Sequence, residues 1–100
     1  MRYRMEDGSV VNTDKASQSW DEGLEWNGSN NISQATGSQW LHERLLRSRK
    51  GRFYKECESD YQGSNSHVEW VDDREAVRWI LLNGGVIPED LKHLINEVEE

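Results

Sequence analysis

The segment from Leu41 to Glu58, LHERLLRSRKGRFYKECE, leaves the chain the fewest choices. Two runs suited to strands flank Ser48-Arg49-Lys50-Gly51. Gly51 stands where a type I turn followed by a left-handed residue needs glycine, the three-residue hairpin loop with a G1 bulge. Such a turn sets the register: Ser48 opposite Arg52, Arg47 opposite Phe53, Leu46 opposite Tyr54 and Arg44 opposite Glu56. Side chains alternate along a strand, so Leu41, Leu45, Phe53 and Cys57 share the face expected to meet the core. His42, Arg44, Leu46, Tyr54 and Glu56 share the other.

The charge of this hairpin opposes that of the rest of the chain. Leu41 to Lys55 holds six basic residues against Glu43 alone, a local +5 in a protein of net charge −7, so the remainder carries −12. From Glu69 onward nine acidic residues face only Arg74, Arg78 and Lys92. The balance favours solubility and attraction to basic surfaces, and it argues against simple binding to a phosphate backbone. Ordinary solvated ion pairs would account for the same pattern. One hundred residues make one domain with one modest core. With only 34% hydrophobic residues, that core is expected to form around Trp20, Trp26, Trp40, Trp70 and Trp79, whose rings bury more area than aliphatic side chains. A single cysteine, Cys57, cannot form an internal disulfide. That fact, the lack of an apolar run near 18 residues and the lack of a signal-peptide core predict a cytoplasmic chain without membrane contact.

Taken in order, Arg2–Met5 is expected to pair with Val10–Thr13 across a turn at Glu6-Asp7-Gly8-Ser9. Thr13 or Asp14 then caps one or two helical turns reaching Trp20, with Ala16 and Trp20 on one face. Residues 21–39 are the least regular, with turn chemistry at Asn27-Gly28-Ser29-Asn30-Asn31 and short strands at Leu24–Trp26 and Ile32–Ala35. Tyr61-Gln62-Gly63-Ser64-Asn65-Ser66 reads as a loop and His67–Val71 as a strand. Asp72, with Glu75 three residues on, opens a helix over Asp73–Asn83 as an Asp version of the capping box. Gly84-Gly85 closes it through a left-handed C-cap. Pro88 starts a second helix, on which Leu91, Leu94, Ile95 and Val98 form one apolar stripe. The domain is therefore expected to be α+β, an antiparallel sheet of about four strands with both C-terminal helices on one face. An open β-rich fold with the helices as a separate lobe is the competing arrangement.

No constellation points to catalysis. Cys57 faces inward and lacks a nucleophile motif around it. His42, His67 and His93 show no metal-ligand spacing. The carboxylate pairs Asp72-Asp73 and Glu89-Asp90 sit at helix starts, where the helix dipole accounts for them. There is no phosphate-cradling glycine loop. The expectation is a non-enzymatic protein without cofactor or metal. Two binding surfaces stand out. One is acidic: Glu69, Asp72, Asp73 and Glu75 by the first helix, with Glu89, Asp90, Glu97, Glu99 and Glu100 on the second, suited to a basic or nucleic-acid-binding protein partner. The other is the hairpin tip, Arg47, Arg49, Lys50 and Arg52 with Tyr54, which could enter a groove or stack bases. On the first helix Trp79 and Leu82 widen the apolar stripe beyond what one sheet covers, which suggests a two-fold dimer. The alternative is that the polar loop from Asn27 to Gln39 folds back over them, with Trp26 or Trp40 as the lid.

The pattern Glu43-x-Leu45-x-Arg47-Ser48-x-x-Gly51-x-Phe53-Tyr54, followed by a polar loop, a strand and Glu75-Ala76-x-x-Trp79, resembles a group of small proteins carried by bacteria, phages and other mobile elements. The opening Tyr3-x-Met5-x-Asp7-Gly8, with Asn12-Thr13-Asp14, is similar too. Small acidic proteins of such elements resemble anti-defence inhibitors, including anti-CRISPR proteins. The resemblance therefore implies an inhibitor that binds a nucleic-acid-handling complex by surface complementarity. It implies no catalytic residues.

Overall fold

The computed structural model describes residues 1–59 and 66–99. The loop expected over Tyr61–Ser66 lies outside them except for its last residue, as does Glu100. The centre of the fold is the predicted hairpin. Strand β6 (Leu41–Arg47) pairs antiparallel with β7 (Phe53–Ser59) in the expected register, Arg47 against Phe53, Leu46 against Tyr54 and Arg44 against Glu56. Gly51 has φ +90°, the left-handed value that an L side chain rarely adopts. Its N–H donates to the Ser48 carbonyl at 2.9 Å, and the Ser48 N–H donates to the Arg52 carbonyl at 2.8 Å.

Two further strands flank this pair in a four-stranded sheet, so that the hairpin occupies its middle. Strand β3 (Gln18–Asp21) runs along β6, and β8 (His67–Trp70) along β7. The expected helical turns up to Trp20 are therefore corrected. Only Thr13–Lys15 forms a short 3₁₀ turn, with the Asn12 side chain accepting from the Asp14 N–H, and the chain then goes extended. The backbone of β6 along Arg44–Arg47 offers more hydrogen bonds than an isolated turn. On the edge strand, Trp20 packs on Phe53 with ring centres 5.8 Å apart and donates its Nε1–H to the Val86 carbonyl at 3.0 Å.

Both faces of the sheet are buried, each by a different end of the chain. On one, Leu45 and Phe53 meet Val77, Ile80 and the C-terminal helices, as the α+β reading requires. On the other, Leu46 and Tyr54 are fully buried beneath Met5 and Val11 of the first hairpin, β1 (Arg2–Arg4) with β2 (Val10–Asn12). That hairpin is a separate two-stranded sheet and not an extension of the main one. A third ribbon, β4 (Leu24–Trp26) with β5 (Asn31–Ser33), turns through Asn27, whose side chain accepts from the Ser29 and Asn30 N–H groups.

Helix α1 (Asp73–Leu82) starts as predicted, with the Asp72 carboxylate accepting from the Glu75 N–H at 2.7 Å. It ends in a Schellman arrangement: Gly85 N–H to the Ile80 carbonyl, Gly84 N–H to that of Leu81, and φ +75° at Gly84. The second helix is corrected in kind. Residues Glu89–Leu94 form a 3₁₀ helix, and only Ile95–Val98, α2, is a true α turn. Leu91 and Leu94, three apart, eclipse in a 3₁₀ helix and are both buried, so that geometry serves the core as well as an α-helix would. The aromatic core is smaller than expected. Trp79 is buried, but Trp26 and Trp40 are 63% and 45% exposed, and Leu41, placed on the core face, is exposed at the mouth of the hairpin. No helix among the described residues is long and apolar enough to cross a membrane.

Candidate functional site

The two surfaces singled out in the sequence fare differently. One contact removes a member from each. The Arg47 guanidinium holds both carboxylate oxygens of Asp90, at 3.1 and 2.6 Å, while also donating to the Gly51 carbonyl and lying 4.8 Å from the Phe53 ring centre. Its side chain is only 17% exposed. The hydrogen bonds to Arg47 hold the Asp90 carboxyl below the ordinary carboxylate range. Neither group is free to meet a partner. Arg47 instead clamps the base of the tip to the C-terminal segment.

Most other acidic candidates are engaged as well. Lys55, with a side chain 14% exposed, gathers Glu69 at 3.2 Å, Glu43 at 3.7 Å and Glu75 at 4.0 Å. Glu75 is thus turned to Lys55, and in the capping box only the Asp72 half is seen. Glu89 pairs with Lys92, and Glu97 with Arg74. Asp73 and Glu99 make no ion pair among the described residues.

Trp79 is not available for self-association. It is 7% exposed, covered by the sheet of its own chain, and its Nε1–H donates to Glu43 Oε1 at 3.0 Å. Leu82 alone of that pair is exposed. The polar loop does reach the helix, but without Trp26 or Trp40 as a lid. From the loop Ala35 packs against the core, and just before it the Gly23 N–H donates to Asn83 Oδ1 at 2.9 Å.

Tyr54 is also withdrawn from the candidate nucleic-acid set. It is fully buried, edge-on to Trp70 with ring centres 5.8 Å apart, and its hydroxyl lacks a hydrogen-bond partner among the described residues. Burial raises its pKa above the ordinary phenol value. Nearby, burial and Glu56 push Tyr3 up to about 12, and Glu56 in turn receives Arg44 at 2.7 Å, the cross-strand pair expected from the register. Cys57 is inward and inert in character: burial and then Glu43 push its thiol up to about 11.

The remaining tip residues converge on a cleft of about 700 Å³ between the first hairpin and the central one. Val10, Val11 and Trp70 supply its apolar wall, backed by the ring of Tyr54, which stays buried from solvent. Lys15, Arg49, Lys50 and Arg52 supply four cations, and among the described residues no acid lines it. Lys15, Arg49 and Lys50 make no ion pair among the described residues. Asp14, next to Lys15 in sequence, pairs with the N-terminal amine at 3.0 Å, and Asp7 pairs with Arg52 at 3.3 Å. Hydrogen bonds from Ser9, then Arg52, hold the Asp7 carboxyl down to about 2. The turn that carries Arg49 and Lys50 is pinned from outside by Ser17, whose N–H donates to the Arg47 carbonyl at 2.9 Å and whose hydroxyl lies within donating distance of the Ser48 carbonyl at 3.2 Å. Lys15 was not foreseen as a site residue. Its only signal was its place just past the first hairpin, and nothing local showed that this hairpin folds across to the tip.

A smaller recess of about 350 Å³ collects Asp21, Glu22, His42, Glu43, Arg44, Glu56 and Glu58. Its His42 Nδ1 lies 2.6 Å from Glu22 Oε1. Among the described residues no group of three His, Cys, Asp or Glu side chains is placed to hold a metal ion. No known family model, curated protein or solved structure matches the chain.

Proposed function

We propose that this chain is a non-enzymatic cytoplasmic binding protein that takes nucleic acid in the cleft between its two hairpins. The carrying observation is the set of three cations, Lys15, Arg49 and Lys50, that line one concave surface without a carboxylate partner among the described residues. Cations without internal partners are the ones able to replace condensed counterions on a phosphate chain. The net charge of −7 does not oppose this at close range. The molecule measures 38 × 35 × 19 Å, about two to five times the Debye length of about 8 Å at physiological salt, so nearby groups dominate the field at the cleft.

The test is binding of labelled DNA and RNA across a salt series. Affinity is expected to fall steeply with salt, and a Lys15, Arg49, Lys50 triple alanine variant is expected to lose both most of the affinity and most of the salt slope. Absence of binding to every form at low salt would overturn the proposal.

A second reading is an inhibitor of a nucleic-acid-handling complex, of anti-CRISPR or other anti-defence type, that acts through the acidic surface. It draws support from the net charge, the resemblance to mobile-element proteins and Asp73 beside the helix start, which makes no ion pair among the described residues. Its contact set would be Glu69, Asp72, Asp73, Glu75 and Glu89. A pull-down from a host extract separates the two readings: recovery of one protein partner, abolished by Asp73→Lys and kept by the triple alanine variant, selects the inhibitor.

A further inference from the structure

We propose, building on the cleft reading above, that the ligand is single-stranded nucleic acid and that one of its bases stacks on the outer side of the Arg52 guanidinium. Arg52 is already placed for this. Its guanidinium carbon lies 3.9 Å over the centre of the Trp70 ring, and its side chain is 56% exposed, so the cation sits on the indole with much of its surface open to solvent. A base added there completes a stack of indole, guanidinium and base, in which the planar cation meets two aromatic faces. The Asp7 carboxylate receives Arg52 Nη1 at 3.3 Å and is itself anchored by the Ser9 N–H at 3.0 Å, so the guanidinium is anchored from its edge.

The dimensions of the cleft favour one strand over two. Sites that enclose a small ligand measure about 300–1,000 Å³, and this cleft, about 700 Å³, falls in that range. A unit of that size can enter from a single strand, whose bases splay out, whereas a duplex keeps its bases stacked inside and presents grooves that proteins enter. Val10, 62% exposed, continues the apolar wall beside Trp70. Lys15, Arg49 and Lys50 then meet the flanking phosphates. The recognition is tolerant of sequence, because every base has a face to stack.

Fluorescence anisotropy with three labelled ligands of equal length tests this: a single strand of ~10 nucleotides, the same strand without bases, and the duplex. The strand with bases is expected to bind about tenfold or more tighter than the abasic strand and the duplex. Arg52→Lys keeps the charge and removes the planar face. It should bring the base-to-abasic ratio close to one, and that ratio, not the affinity for either strand alone, is the readout. Equal binding of the three ligands, or a ratio unmoved in Arg52→Lys, overturns the stacking inference and leaves the cleft reading standing. No binding of any ligand at low salt removes both. Should Arg52→Lys fail to fold, as its circular dichroism would reveal, the ratios measured on the natural chain decide.

Discussion

Glu43 shows how much one residue can connect. In the sequence it is the lone acid between Leu41 and Lys55. In the fold its carboxylate accepts from the Trp79 indole, lies 3.7 Å from the Lys55 ammonium and 4.0 Å from the Cys57 thiol. Removing one partner of a buried hydrogen bond leaves the other unpaired, which costs more than the bond itself contributes. Trp79→Phe is therefore expected to lower unfolding free energy by about 1–3 kcal/mol, read from urea denaturation. Tyr54→Phe should behave in the opposite way. Its hydroxyl is buried without a partner among the described residues, so its removal is expected to be neutral or stabilising by about 1 kcal/mol. A comparable loss in both variants would contradict this account.

At the level of elements, what could be foreseen divides by range. The central hairpin was legible to the residue pair because its register depends on one turn, and the turn on one glycine. Gly51→Ala places a side chain at φ +90° and is expected to cost about 1–2 kcal/mol, measured as a fall in the urea midpoint at unchanged slope. Helix α1 was equally legible, from Asp72 at its start to Gly84-Gly85 at its end. The 3₁₀ helix over Glu89–Leu94 was not, because Leu91 and Leu94 satisfy a period of three as well as one of 3.6. Residues 18–20 were misread as helical because their strand character comes from a partner 25 or more residues away, β6, and not from their own side chains. The site followed the same division. Arg49, Lys50 and Arg52 were visible on the turn. The Arg47–Asp90 clamp, the burial of Tyr54 and the arrival of Lys15 all depend on contacts between distant segments.

Across the whole molecule, the sheet is enclosed on one side by the last third of the chain and on the other by its first fourteen or so residues. With Trp79 covered internally, the main reason to expect a dimer is gone. Light scattering at micromolar concentration should give a mass near 11.7 kDa, and Leu82→Ala should not change it. A doubled mass that Leu82→Ala restores to one chain would reinstate the dimer. The order of the strands, β3-β6-β7-β8, also carries a consequence for the route by which the chain reaches this state. The hairpin β6–β7 joins neighbouring segments, and both outer strands dock onto it, so it is the natural nucleus on which the rest condenses. Damage at its turn should then appear in the rate of refolding more than in the rate of unfolding: in stopped-flow measurements Gly51→Ala lowers the folding limb, and the strands added last set how long the native state persists.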